Sequence, residues 1–256
     1  MIDWEKTPAA IYRARKDFLK PVFEIDPIKL ENLINIDEQK DILIENTKKF
    51  LNGQKALHAL LWGSRGTGKS SLVKALLNEF FEKKLRIIEI AKDDLTVLPD
   101  ICDDIRELPF YFIIFCDDLS FEASDSSYKP LKSILEGSIE LPPKNVLIYA
   151  TSNRRHLLPE YKSDNNEVLV KDGEIHYADV VEEKISLSDR FGIWLSFYQG
   201  TQKDFLNIVD SYFQNLDNKQ REKMHKEAVK FSALRASRSG RVAKQFYLYY
   251  QDKVNS

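Results

Sequence analysis

Cysteine, long apolar runs and excess charge of either sign are all scarce in this 256-residue chain. The only cysteines are Cys102 and Cys116. They show no metal-ligand spacing, and Cys116 falls inside an apolar run, so the expectation is a buried thiol in a reducing compartment. The histidines, at 58, 156, 176 and 225, likewise lack ligand spacing, and no zinc is expected. No apolar run approaches the roughly 20 residues that span a bilayer, and Met1-Ile2-Asp3-Trp4-Glu5-Lys6 does not read as a signal peptide. The expectation is a cytoplasmic protein with no membrane partner. With 38 basic and 40 acidic residues there is no overall field to hold nucleic acid or an anionic membrane, so any such binding needs a local patch. No internal repeat or low-complexity tract is visible.

What is present is a phosphate loop. Residues Gly63, Ser64, Arg65, Gly66, Thr67, Gly68, Lys69, Ser70 and Ser71 complete the G-x-x-x-x-G-K-[ST] pattern. The apolar run Ala56 to Trp62 leads into it and a helical pattern follows from Ser71. That order suits the chemistry. Glycines let successive backbone N–H groups face phosphates, and the helix start adds the positive end of its dipole. Lys69 is placed to reach the β- and γ-phosphates, and Ser70 to ligate Mg²⁺.

Further apolar runs at Arg86 to Ala91, Phe110 to Cys116, Asn145 to Ala150 and Gly192 to Tyr198 are separated mostly by helical patterns, the mark of βα units. With the strand before the loop they predict an α/β fold with a parallel five-stranded sheet in a three-layer αβα core. Beyond Gly200 the pattern is helical only, as in Phe205, Ile208, Val209, Tyr212 and Phe213. The expected division is an irregular N-terminal arm and linker at 1–34, punctuated by Pro8, Pro21 and Pro27, a nucleotide-binding core at 35–199, and a small all-helical subdomain at 200–256. A helix is predicted from Asp37 to Leu51. An Asp-Gly turn predicts a β-hairpin insertion at 166–177, either a surface excursion or a contact for a neighbour or substrate.

The second nucleotide element is the apolar run ending in Asp117 and Asp118. Asp117 suits Mg²⁺, held through its water shell, and Asp118 the orientation or deprotonation of an attacking water; Glu122 is a rival for the base. Asn153, next to Thr151 at the end of the following run, can face the γ-phosphate, or serve as a helix cap or turn residue. Arg190 can project from a subunit edge toward a neighbour's nucleotide, or pair with Asp189. Arg241 can reach the phosphates from the helical subdomain, or belong to a solvated basic face. Arg154, Arg155 and His156 form a small cationic cluster after Asn153. Tyr247, Tyr249 and Tyr250 cannot share one helix face, which reads as packing within the helical subdomain plus a subunit contact rather than as a base-stacking platform.

Taken in order, these motifs resemble those of the AAA+ ATPases: Walker A, Walker B, sensor 1, arginine finger and sensor 2. The segments 61–71, 115–122, 150–156, 186–191 and 238–241 are similar to a bacterial AAA+ family designated domain of unknown function 815. The resemblance implies an ATPase core with ATP and Mg²⁺ as cofactors, a helical lid, and assembly into a homo-oligomeric ring, a hexamer being one candidate. It implies Arg190 as a finger acting in trans, Arg241 as sensor 2, and an adenine site along Leu33 to Asp37 with Ile36 against the base. Many relatives carry Glu where this chain has Asp118. The aromatic-hydrophobic-Gly loop usual in AAA+ unfoldases is missing from Lys92 to Pro99. The expected activity is hydrolysis coupled to remodelling of a protein or nucleic-acid client; alternatives are an ATP-gated assembly switch with little turnover and a small-molecule kinase.

Overall fold

A computed structural model describes residues 2–121, 127–136, 141–155, 157, 186–213 and 215–254. The 166–177 hairpin expected from the sequence lies outside the described residues.

At the centre stands a seven-stranded sheet in the order β2-β1-β4-β5-β6-β3-β7. The strands are β1 (Ala9–Arg13), β2 (Phe18–Val22), β3 (Ala59–Gly63), β4 (Leu85–Glu89), β5 (Tyr111–Cys116), β6 (Val146–Ser152) and β7 (Ile193–Phe197). Every pairing is parallel except β1 with β2. Strands covered on both faces by helices should be apolar at nearly every position, and β6 is buried from end to end. Alternate residues feed two cores. Ile113 and Phe115 join Leu147 and Tyr149 under α1 (Asp37–Leu51) and α2 (Lys69–Phe80). Phe112, Ile114 and Cys116 join Ile148 under α3 (Leu98–Ile105) and α4 (Lys129–Glu136). Burial pushes both cysteine thiols up to about 12, so neither is a reactive thiolate.

The expected count of five strands is corrected to seven. The additional pair comes from the arm read as irregular. β1 and β2 form a hairpin closed by Asp17 in the left-handed region (φ 49°), with the Tyr12 hydroxyl donating to Asp17 at 2.8 Å. Ala9 and Ala10 are small enough to sit one on each face beside β4, while Pro21 lies on β2 at the sheet edge, the place where a strand tolerates proline. Arg86 fastens the preceding residues. Its Nε donates to the Trp4 carbonyl at 2.6 Å, and its guanidinium lies between the Phe81 and Phe110 rings, 4.1 and 4.8 Å from their centroids.

Among the described residues, three helices follow β7: Gln202–Tyr212, Asn218–Leu234 and Gly240–Val254. Capping boxes at Thr201/Asp204 and Asp217/Gln220 start the first two. They enclose a separate core of Phe205, Val209, Met224, Ala228, Phe231 and Phe246. Tyr250 stacks on Phe246 and Tyr247 on Tyr212 inside this lid, while Tyr249 is 57% exposed. Among the described residues no helix is long and apolar enough to cross a membrane.

Candidate functional site

The phosphate loop leaves the central strand β3 and enters α2, with Gly68 (φ 104°) as the residue before the helix. Gly63 is required by contact. A Cβ there would meet the Phe197 carbonyl oxygen of β7 at 2.0 Å, and Ser64 N–H donates to that same oxygen at 2.8 Å. The Thr67 hydroxyl donates to the Ser64 carbonyl at 2.8 Å, closing the loop on itself. Arg65 is exposed, and Ser70 and Ser71 are half-buried.

Lys69 is buried and its ammonium donates to the Gly63 and Ser64 carbonyls, each at 2.8 Å, and to Asn153 Oδ1 at 3.3 Å. Burial pushes the ammonium down to about 8, with Arg241 and Arg65 acting in the same direction and Asp117 and Asp118 against it. A cation so placed, with its charge only partly compensated, favours an incoming anion.

The carboxylates stand at the end of β5. Ser70 Oγ donates to Asp117 Oδ1 at 2.7 Å, joining the first turn of α2 to the strand. Thr151, on β6, donates its hydroxyl to Asp117 Oδ1 and accepts the Asp118 N–H at 2.9 Å, while its carbonyl accepts the Leu119 N–H at 2.7 Å. This latch holds the chain as it turns off β5, where Asp118 adopts a left-handed conformation (φ 53°) that aspartate tolerates better than most residues. Asn153 Nδ2 donates to Asp118 Oδ1, so one amide bridges Lys69 and Asp118. The part played by Thr151 was missed in the sequence, where it counted only as a neighbour of Asn153. Glu122, the rival base, and His156 lie outside the described residues.

The lid and the linker both approach the loop. Arg241 N–H faces the Gly66 carbonyl at 3.4 Å, and a Cβ on Gly66 would stand 2.8 Å from Ser239 Oγ. Ile36, just before α1, has its Cδ1 3.4 Å from where a Cβ on Gly68 would lie. Asn35 Nδ2 donates to the Asp204 carbonyl at 3.0 Å, tying the linker to the first lid helix. Lys40 caps the same stretch, donating to the Leu33 carbonyl at 2.7 Å. Ser239 and Asn35 carry no recognisable pattern of their own.

Arg190 follows a helical turn at 186–189, beside the edge strand β7. Its Nη2 donates to Ser186 Oγ at 3.3 Å, and among the described residues no hydrogen bond joins it to Lys69, Asp117, Asp118 or Asn153. Arg155 lies over the Trp62 ring, 5.5 Å from its centroid, and Trp62 meets the 68%-exposed Tyr198 edge to face.

The donor set fits a nucleotide phosphate chain and a divalent cation. A glycine loop at a helix start presents backbone donors and an ammonium. A serine hydroxyl hydrogen-bonded to a strand-end carboxylate supplies the hard oxygen pair that Mg²⁺ takes. The strand order β4-β5-β6-β3-β7, with the loop after β3 and a helical lid beyond β7, is that of an AAA+ P-loop fold. Solved structures agree. The Orc1 protein of Aeropyrum pernix in complex with DNA superposes with a TM-score of 0.56 at 16% identity, over 82% of this chain and 58% of that one. A RuvB variant of Thermotoga maritima gives 0.52 at 15%, over 89% and 74%, and the FIGL-1 AAA domain with ADP gives 0.51 at 16%, over 79% and 68%. At these identities the likeness is one of fold. In sequence, 68 residues are 38% identical to the replication factor C large subunit of Ignicoccus hospitalis, covering 26% of this chain. The chain spans 14% of that protein's length, and 18% of its Aeropyrum pernix counterpart at 37% identity over 90 residues. Within the AAA+ class, the chain belongs to the family described as "Protein of unknown function (DUF815)", whose model matches residues 5–254.

Proposed function

We propose that this chain binds and hydrolyses Mg·ATP as a cytoplasmic homo-oligomeric ring, completing each active site between two subunits and using the cycle to remodel a protein or nucleic-acid client. The observation that carries the reading is the continuous network Lys69–Asn153–Asp118 beside Ser70–Asp117–Thr151, at the mouth of a phosphate loop on which Arg241 closes. Loop N–H groups and Lys69 hold the phosphates, and Ile36 lies where the base can pack. Ser70 and Asp117 would hold Mg²⁺, which would offset the negative charge of the phosphate chain. Asp118 orients the lytic water while Asn153 fixes its carboxylate, and Glu122 is the alternative base. Arg241 reaches the phosphates from the lid. Arg190, at the sheet edge and outside this network, acts on a neighbour's nucleotide.

Mixing two variants tests the shared site. Arg190→Ala and Lys69→Ala should each be inactive alone. Mixed in equal amounts they should recover activity, because a Lys69→Ala subunit still offers Arg190 to its partner's intact loop. No recovery in mixed oligomers would contradict a finger acting in trans.

A second reading, an ATP-gated switch with little turnover, is favoured by one observation. Asp118 is shorter than the glutamate it replaces and is tied by Asn153. It predicts tight ATP binding without phosphate release.

A further inference from the structure

Glu89, the last residue of β4, takes no part in the network around Lys69 and Asp117. Register nevertheless places it on the same face of the sheet. It lies level with Phe115 of β5 and with Ile11 of β1. Residues level with one another in parallel strands point the same way, and Phe115 and the Ala9/Ile87 pair belong to the core under α2. Glu89 therefore faces α2. Two residues further along their own strands, Arg13 and Asp117 face that side as well. Strands about 4.8 Å apart with a rise of about 3.3 Å per residue put the Cα atoms of Glu89 and Asp117 about 8 Å apart. Lys74 sits on α2 one turn beyond Ser70.

The Glu89 side chain is half-buried and accepts no hydrogen bond among the described residues. Burial and Asp117 act to raise its pKa, while Lys74 and Arg13 oppose them, so all four groups lie within electrostatic reach. At this spacing both carboxylates can approach one hydrated ion, and Mg²⁺ keeps several of its waters in protein sites.

We propose that Glu89 is a second carboxylate of the magnesium site, one that would accept hydrogen bonds from the ion's hydration water. The proposal rests on the Mg·ATP reading above and makes Glu89 a positioning residue. Counting bound and free Mn²⁺ by electron paramagnetic resonance, with a non-hydrolysable ATP analogue on the protein, tests it without turnover. Glu89→Gln should weaken Mn²⁺ binding about tenfold, the low end of what outer-shell partners contribute, and leave analogue affinity in chelator unchanged. Glu89→Asp should show an intermediate loss. Wild-type Mn²⁺ affinity in Glu89→Gln, with Asp117→Asn weakened, overturns the assignment of Glu89 alone. Wild-type affinity in Asp117→Asn as well overturns the metal-site reading itself. Equal losses in Glu89→Asp and Glu89→Gln with lowered melting temperatures assign Glu89 to packing and also overturn the proposal.

Discussion

The two sides of the candidate site are built differently. On the core side, hydrogen bonds donated by Ser70, Thr151 and Asn153 hold two carboxylates at the end of a strand buried on both faces, and Lys69 donates to Asn153. On the lid side, a bundle with a core of its own meets the loop through one 3.4 Å backbone contact and the Ser239–Gly66 approach, with Asn35–Asp204 as a tether. Breaking the first set disturbs the sheet; breaking the second leaves both cores whole. The difference separates a half whose geometry is set by the sheet from a half joined to the loop by a few contacts.

Substitutions can pull these halves apart. The largest effect is expected at Lys69→Ala, which removes the ammonium on the core side and should weaken ATP at least about a hundredfold by calorimetry. Thr151→Val should follow. It leaves the Asp118 N–H and Asp117 Oδ1 without their shared partner, lowering stability by about 2 kcal/mol and phosphate release by more than about tenfold. A Thr151→Val protein with unchanged melting and unchanged turnover would show that the latch does not organise the carboxylates.

Proton linkage at Lys69 comes next. Burial holds its folded pKa at about 8 against 10.5 unfolded. Between those values the unfolded chain binds more protons, so this group's contribution to the stability of the free protein rises with pH. ATP needs the ammonium, so its affinity should move the other way, falling by roughly a factor of eight from pH 7.5 to 9, the ratio of the ammonium fractions. Calorimetry in buffers of different ionisation enthalpy should detect proton uptake at pH 9. The smallest effect is expected on the lid side. In Gly66→Ala the new methyl meets Ser239 and the backbone (φ 76°) is unfavourable, so nucleotide should leave about fivefold faster. The melting of the lid helices should hardly change.

The same contrast governs what was legible in the sequence. The phosphate loop has fixed spacing, β5 and β6 are long apolar runs, and α1 spans Asp37–Leu51 as its pattern predicts. The hairpin of β1 and β2 was not legible. Five-residue strands with little alternation, one carrying Pro21, give no periodic signal, and their place in the sheet depends on β4 and on Arg86, far along the chain. Thr151 on Asp117 and Ser239 on Gly66 join residues from distant segments. Such contacts are set by strand order and by how the lid docks, which spacing within a motif does not encode. Glu89 belongs with them, since only register brings it to the rim beside Asp117.

The measurement that bears most directly on shared active sites is the rate of Mg·ATP-dependent phosphate release per subunit across a wide range of protein concentration. A rate that climbs steeply and then saturates is predicted, with Arg190→Ala binding ATP normally yet staying low throughout. A substantial rate that is flat with concentration and indifferent to Arg190→Ala would contradict sites completed between subunits.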